Sequence, residues 1–155
     1  MSVQKKQRSQ SISNGTRLNI KKLHSDAVLP SFAHESDAGM DIYSLEEVSI
    51  QPNERVQIKT GLAFEVPDGY VGLVWDKSGL SHKYGLKTLG GVLDSGYRGE
   101  LFVGLINLSQ EVYVLEKGHK VAQLLIQKIE HPLIVEVAEL SETKRGKGGF
   151  GSTGK

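Results

Sequence analysis

Hydrophobic and polar residues alternate with a period of two over much of the chain from residue 17 onward. Val56 and Ile58 alternate with charged or amide neighbours in 55–59, and the same alternation occurs in 17–21 and, with Val112 and Val114, in 111–114. This period is typical of half-buried β-strands. Other runs rich in β-forming residues are Val71–Trp75, Leu101–Ile106, Val121–Ile126 and Leu133–Val137.

Turn-forming residues separate these runs, and no segment shows a sustained helical period of 3.6 residues. The turn signals are Gln51-Pro52-Asn53, Pro67-Asp68-Gly69, Ser109-Gln110 and Lys117-Gly118. Many short strands joined by tight turns predict an all-β barrel, sandwich or jelly roll spanning residues 17–140.

Both ends of the chain differ from this central domain. Residues 1–16 are polar and basic, which predicts a disordered, solvated tail; a nucleic-acid-binding arm is the less favoured alternative. Residues 141–155 are rich in glycine and form a C-terminal arm too polar to build its own core.

Composition limits the class of protein further. A length of 155 residues suits one domain, and a net charge of +1 argues against a general polyanion binder. The chain has no cysteine, so disulfides and thiolate chemistry are excluded. It has no secretory signal and no apolar run near the roughly 20 residues that span a bilayer. We therefore expect a cytoplasmic protein with neither membrane nor nucleic acid as its partner.

The C-terminal arm contains glycine patterns that look like nucleotide motifs but lack their structural context. Gly146-x-Gly148-x-x-Gly151 matches a dinucleotide fingerprint, yet too few residues follow to form the required helix. Its chemistry nevertheless suits phosphate, because glycine exposes backbone N–H groups and Arg145 can bind phosphate oxygens bidentately. A flexible tail and a phosphate-binding arm are equally good interpretations of this composition.

Two further segments each place a carboxylate where it could serve chemistry. In the predicted hairpin 90–101, Asp94 precedes the aromatic Tyr97 by three residues, as either a turn residue or a base beside an aromatic wall. In 38–44, Asp41 interrupts an apolar strand and must find partners, either structural or within a site.

Two other segments contain polar residues that could either bind phosphate or have a structural role. Lys77, Ser78 and Gly79 follow a strand and suit either phosphate oxygens or, with slight preference, the cap of a short helix. Gln123 interrupts an apolar run in 117–124 and must be hydrogen-bonded, for which a core amide is the simplest account.

Taken in order, five segments resemble the five motifs of the trimeric deoxyuridine triphosphatases. The resemblance covers residues 17–154, and its most specific parts are the third and the last segment. The five segments are AGMDIYS, DKSGLS, GGVLDSGYRGEL, KGHKVAQLL and RGKGGFGSTG.

The resemblance implies an enzyme that hydrolyses dUTP to dUMP and pyrophosphate, which limits uracil in DNA and supplies dUMP for thymidylate. It also implies a jelly-roll-like fold, a homotrimer with active sites between subunits, and a flexible C-terminal arm that closes each site. Mg²⁺ is the implied cofactor, held mainly by the triphosphate.

Residue roles follow from the matched motifs. Asp94 resembles the carboxylate that activates water for attack on the α-phosphorus. Tyr97 resembles the aromatic residue under the deoxyribose, and Asp41 resembles an acid that reaches Mg²⁺ through water. The uracil reader of the family corresponds to Gly91, Val92 and Leu93. The phosphate-binding residues correspond to Lys77, Ser78, Gly79, Gln123, Arg145, Gly151, Ser152 and Thr153, and the lid over uracil to Phe150.

The chain departs from the family pattern at three places. Lys77 stands where arginine is usual, and lysine lacks the bidentate fork of arginine. Gly96 replaces a frequent second aspartate, and His119-Lys120 replaces a common Asp-Arg pair.

Two other functions fit the same scaffold. One is a dCTP deaminase, including bifunctional forms that also hydrolyse the triphosphate, although such an enzyme needs a glutamate acting at the base. The other is a non-catalytic nucleotide sensor, for which a water-activating Asp94 would be unnecessary.

Overall fold

The computed structural model describes residues 16–149, and these form ten strands and one short helix. The elements, in chain order, are β1 (Asn19–Lys22), β2 (Met40–Tyr43), β3 (Val48–Ile50), β4 (Arg55–Glu65), β5 (Tyr70–Trp75), α1 (Ser78–Tyr84), β6 (Leu86–Leu89), β7 (Val92–Leu93), β8 (Glu100–Asn107), β9 (Tyr113–Leu115) and β10 (Lys120–Lys128).

The strands form two four-stranded sheets and one small two-stranded sheet, and every strand pair is antiparallel. The first sheet has the order β1-β4-β8-β6, the second has the order β2-β10-β5-β7, and β3 pairs with β9. Both large sheets contain strands that are far apart in sequence. This arrangement confirms the predicted all-β, jelly-roll-like fold.

Apolar side chains from all three sheets meet in one core. The alternation predicted for β4 is confirmed, because Ile58 is fully buried while Gln57 and Lys59 on either side are exposed. Beyond Gly61, which has a positive φ of 67°, the next three residues are all buried. The largest fully buried apolar side chains are Phe64, Ile42, Ile50, Ile58, Leu62, Leu105, Leu115 and Leu124.

Two expectations from the hydrophobic pattern are wrong. In β9 the inward residues are Tyr113 and Leu115, whereas Val112 and Val114 are exposed, because pairing with β3 sets the opposite phase. The run Leu133–Val137 forms no strand within the described chain and is exposed, with Ile134 94% accessible, because no strand of this chain pairs with it.

The segment after β5 forms the short helix that its sequence favoured. Lys77 occupies the N-cap position, but its side chain makes no capping hydrogen bond to the helix, so the predicted side-chain cap is absent. Gly85 ends the helix in the left-handed conformation that glycine adopts at little cost. No helix in the described residues is long and apolar enough to cross a membrane.

One buried polar side chain joins the end of β3 to the loop between β8 and β9. The Asn107 amide is fully buried and its Nδ2 donates to the carbonyls of Ile50 at 3.0 Å and Glu111 at 2.8 Å. Its Oδ1 accepts hydrogen bonds from the backbone N–H and the hydroxyl of Ser109. The amide therefore makes four hydrogen bonds to these two segments.

Replacing Asn107 with alanine should destabilise the protein by about 3 kcal/mol, because buried groups are left unsatisfied. Urea unfolding at neutral pH measures the change. The matched control is Asn19→Ala, which removes one exposed hydrogen bond to Glu65 and should have little effect. Equal losses in both variants would contradict this account of Asn107.

Candidate active site

Three residues that are far apart in sequence lie side by side across the second sheet. Gln123 on β10 is opposite Asp41 on β2 and also opposite Trp75 on β5. Directly opposite residues in antiparallel strands point to the same face of a sheet. The pairing register therefore brings Asp41, Gln123 and Trp75 together on one face.

Asp41 is buried and is held between two lysines. Its side chain is 4% exposed, and its two oxygens lie 2.5 Å from Lys77 Nζ and 2.6 Å from Lys120 Nζ. Burial would raise the pKa of the Asp41 carboxyl, but the two ammonium groups outweigh it and hold the pKa below the ordinary 3.8. Asp41 is thus a paired anion, and the partners that the sequence required for it are these lysines.

A β-bulge in β10 allows Lys120 to reach Asp41. Pairing with β2 shifts register between Lys120 and Ala122, and both Val121 and Ala122 are buried. These two neighbours therefore do not alternate between a buried and an exposed side, as successive residues of a half-buried strand do. In a regular strand, residues three apart point to opposite faces, whereas the bulge places Lys120 and Gln123 on the same side.

The Gln123 carboxamide is fixed between two backbone segments. Its Nε2 donates to the carbonyl of Asp76 at 2.9 Å. Its Oε1 lies over the α-carbon of Gly39, only 2.6 Å from where a β-carbon would stand. Any larger residue at position 39 would displace this amide. Glycine at this position therefore allows the Gln123 carboxamide to lie close to the backbone.

These residues line a cleft of about 330 Å³. The cleft brings together the predicted site residues Asp41, Lys77 and Gln123. Ser78 and Gly79 follow at the exposed start of α1 and do not line the cleft themselves. The lining residues are Asp37, Ala38, Gly39, Asp41, Trp75, Asp76, Lys77, Gln123 and Leu125.

The segment carrying Asp94 and Tyr97 forms a second, smaller pocket of about 240 Å³. It is lined by Val92, Leu93, Asp94, Tyr97, Glu100, Leu101 and Phe102. The predicted hairpin is wrong in its pairing, because β7 pairs with β5 in the second sheet while β8 pairs with β4 and β6 in the first. The segment is a crossover turn between sheets.

Backbone contacts define the shape of this turn and leave its carboxylate free. The backbone N–H of Tyr97 donates to the carbonyl of Asp94 at 3.1 Å, and the Tyr97 hydroxyl donates to the carbonyl of Glu100 at 3.0 Å. Within residues 16–149, the exposed Asp94 carboxylate makes no hydrogen bond or ion pair. Asp94 is therefore available to a water molecule or a ligand.

Gly91 positions the start of this segment. Its φ of 111° is unfavourable for other residues, and a β-carbon there would lie 2.7 Å from the Val74 carbonyl oxygen. Its own carbonyl accepts a hydrogen bond from the Val74 N–H at 2.8 Å. The exposed Val92 and the buried Leu93 follow directly.

The remaining predicted site residues lie apart from both pockets. Arg145 is exposed, and its Nε donates to the carbonyl of Gly148 at 2.9 Å within a local turn. It lines neither the cleft nor the second pocket. Phe150, Gly151, Ser152 and Thr153 lie outside the described residues.

Sequence reasoning did not assign a site role to Trp75 and Asp76, which line the cleft, or to Lys120, which contacts Asp41. Lys120 was noted only as a departure from the family pattern, and Trp75 and Asp76 were not assigned a role. The period-two pattern gives no sign of a bulge, which is why Lys120 was missed. Asp76 could have been recognised as a carboxylate at the end of a buried strand that needs partners.

The fold and the two pockets define an all-β protein with a polar cleft, in which a buried carboxylate is paired with lysine, and a separate pocket that places an exposed carboxylate near an aromatic ring. The dUTPase family model matches residues 25–154. The chain belongs to the dUTPase family, as its five motifs predicted.

Relatives and solved structures agree with this assignment. The chain is 49% identical to deoxyuridine 5'-triphosphate nucleotidohydrolase of Clostridium kluyveri, over 88% of this chain and 97% of that protein. Identity to the Mycobacterium leprae protein of the same name is 46%, over 90% and 96% of the two chains. The dUTPase of Staphylococcus bacteriophage 80alpha, solved with dUPNHPP, superposes with a TM-score of 0.82 at 35% identity, over 90% of this chain and 99% of that one.

Asp41→Asn should lower the free energy of unfolding by about 2 kcal/mol at pH 7, because two lysines lose their buried counter-charge. Since the folded pKa is lowered, this stabilisation is present above the unfolded value near 3.8 and disappears as pH falls through the folded pKa. Urea unfolding from pH 7 to pH 3 measures the difference between wild type and variant.

The matched control is Asp26→Asn, which removes an exposed ion pair to Lys117 and should change stability little at any pH. A difference between wild type and Asp41→Asn that stays constant down to pH 3 would contradict the ionic role of Asp41.

Proposed function

We propose that this protein hydrolyses dUTP to dUMP and pyrophosphate. The observation that carries the proposal is the presence of two pockets built from the matched motifs. One contains the Lys77 ammonium and the fixed Gln123 carboxamide, with Lys120 on the second oxygen of Asp41, and the other contains Tyr97 and the Asp94 carboxylate, which has no partner within residues 16–149. The named activity of the relatives supports dUTP as the substrate.

In the proposed reaction, the Asp94 carboxylate accepts a proton from water as the water oxygen bonds to the α-phosphorus. The bond from the α-phosphorus to the oxygen bridging to the β-phosphorus breaks, and that oxygen leaves with pyrophosphate. Water attacks a triphosphate slowly because the anion repels the nucleophile, so orientation and cationic groups lower the barrier most. The free state of Asp94 in this structure suits a base that must receive a water molecule.

The cleft is the proposed subsite for the phosphates. Asp41 is paired with both Lys77 and Lys120, so these three side chains together carry one net positive charge, and the Asp76 carboxylate in the same cleft is paired with Lys87. The Gln123 amide uses one donor on the Asp76 carbonyl and keeps a second N–H for a phosphate oxygen. Ser78 and Gly79 at the start of α1 would extend this subsite from its rim.

Magnesium fits this donor set as an ion carried by the nucleotide. Carboxylate oxygen is a suitable ligand, but both Asp41 oxygens are already close to ammonium groups, which favours indirect contact through water. When bound to the triphosphate, Mg²⁺ would neutralise part of the charge that repels the attacking water. A mutant dUTPase of phage phi11 of S. aureus coordinates a structural Mg(II) ion, and it is 32% identical to this chain with a TM-score of 0.76.

The crossover turn is the proposed subsite for the nucleoside. Gly91, Val92 and Leu93 would read uracil through backbone groups, which can exclude the 5-methyl of thymine by shape. Tyr97 is half exposed with its hydroxyl bound to the Glu100 carbonyl, so its ring is held in place to pack under a deoxyribose.

We infer that the complete site forms between subunits of a homotrimer. The cleft and the second pocket have no lining residue in common on one chain. The exposed apolar run 133–140 is a surface that association would bury, since isolated chains rarely expose so much apolar area. A sedimenting mass equal to one chain at micromolar concentration would contradict this assembly.

The C-terminal arm is the proposed lid. Within residues 16–149, Arg145 makes no ion pair, and its Nε donates only to the Gly148 carbonyl, so its terminal nitrogens are available for the terminal phosphate. Phe150 would cover uracil, with Gly151, Ser152 and Thr153 adding backbone and hydroxyl donors to the phosphates.

Product analysis tests the activity directly. The purified protein is incubated with Mg²⁺ and each deoxynucleoside triphosphate in turn, and the products are separated by chromatography. Consumption of dUTP alone, giving dUMP and pyrophosphate, is expected. Release of ammonia from dCTP would identify a deaminase instead, and binding of dUTP without turnover would identify a sensor.

Asp94→Asn should lower kcat by about 10²–10⁴-fold, because the amide cannot accept the proton of the attacking water. Affinity for a non-hydrolysable imido analogue of dUTP should change little. Trp75 is the only tryptophan of the chain and lines the cleft, so its fluorescence can report that binding.

Asp68→Asn is the matched control, because it alters an exposed carboxylate in the turn before β5 and should leave turnover unchanged. Hydrolysis by Asp94→Asn at the wild-type rate would overturn the assignment of Asp94 as the base.

A further inference from the structure

Asp76 is a carboxylate that lines the cleft and whose oxygens contact two residues of β6. Its Oδ1 accepts hydrogen bonds from the Thr88 N–H at 2.7 Å and the Thr88 hydroxyl at 2.6 Å. Its Oδ2 lies 2.9 Å from Lys87 Nζ. These contacts link the residue that follows β5 to β6. The segment that contains α1 lies between these two linked points of the chain.

The backbone of the same residue holds the Gln123 amide. The Asp76 carbonyl accepts the hydrogen bond from Gln123 Nε2, and Lys77, the next residue, reaches Asp41. Two of the groups assigned to the phosphates are therefore aimed by the one peptide segment that the Asp76 side chain anchors.

We propose that Asp76 is a positioning residue for the phosphate-binding cleft: its carboxylate anchors the 76–77 segment to Thr88 and Lys87 and thereby sets the orientation of Gln123 and Lys77. This inference rests on the proposed dUTP hydrolysis, because Gln123 and Lys77 act on the phosphates of that substrate.

The chemistry of Asp76 suits anchoring and does not suit substrate contact. An anion beside a triphosphate would repel it, whereas here both oxygens are engaged by Thr88 and Lys87. Burial would raise the pKa of the Asp76 carboxyl, but the hydrogen bonds from Thr88 and the Lys87 ammonium outweigh it and keep the pKa below the ordinary value. The carboxylate therefore remains a charged acceptor at neutral pH, and hydrogen bonds to a charged acceptor are the stronger kind.

A loss of this anchor should affect catalysis more than stability. Displacement of catalytic groups by about 1 Å can cost roughly 10²-fold in rate even when the change is remote from the chemistry. For Asp76→Ala we expect kcat for dUTP to fall by about 10–100-fold. Asp76→Asn keeps one acceptor for Thr88 and should retain an intermediate rate.

A double-mutant cycle with Gln123 separates positioning from a general structural role. If Asp76 acts through Gln123, Asp76→Ala should cost several-fold less in a Gln123→Ala background than in the wild-type protein. A merely structural effect would multiply the two losses. Rates are measured at a temperature where circular dichroism shows every variant folded.

Binding of inorganic tripolyphosphate, followed by Trp75 fluorescence, gives a second readout that needs no turnover. Asp76→Ala should weaken this binding about 10-fold, whereas the exposed-carboxylate control Asp68→Asn should not change it. Wild-type kcat and tripolyphosphate affinity in Asp76→Ala, or fully multiplicative losses in the cycle, would overturn the proposal.

The same experiments distinguish failure of this inference from failure of the proposed function. If the wild-type protein does not hydrolyse dUTP, the proposed function fails, and the tripolyphosphate titration still decides whether Asp76 organises an anion-binding cleft. If the wild type hydrolyses dUTP and Asp76→Ala is unaffected in both assays, only the role of Asp76 fails.

Discussion

The buried carboxylate of Asp41 is the constraint on which the cleft depends. A buried anion is costly unless it is paired, and Asp41 has an ammonium group close to each oxygen. One lysine comes from the segment after β5 and the other from the bulged start of β10. Meeting this single requirement therefore fixes three chain segments relative to one another and places positive charge at the mouth of the cleft.

The sequence predicted the all-β fold and the need of Asp41 and Gln123 for partners, because these follow from local pattern and from the cost of burying polar groups. It did not identify those partners. Lys120 reaches Asp41 only through a bulge, and the inward residues of β9 are set by its pairing with β3. Register and bulges arise from contacts between distant segments, so period-two alternation alone cannot predict them.

Resemblance to a family implies one site built from five motifs. On a single chain, the first, second and fourth motifs meet at the cleft, the third forms the second pocket, and Arg145 of the fifth lines neither. The division follows from topology, because the turn with Asp94 and Tyr97 crosses from the second sheet to the first. The Asp41 cleft instead lies along the β2-β10-β5 part of the second sheet. In the proposed homotrimer, a second copy would supply the missing half of a site that uses both pockets.

The presence of lysine at position 77 is consistent with this arrangement. Arginine presents a rigid fork that can bind two acceptors in fixed directions, whereas the lysine ammonium is a compact charge with three donors on a flexible stem. Lys77 is 28% exposed while it contacts Asp41, so one ammonium can face both the carboxylate and an incoming phosphate. Its position then depends on the backbone that carries it, and that backbone is the one Asp76 anchors to β6. A flexible lysine whose backbone is held in place can thus bind phosphate at a position where the family more often has the rigid arginine.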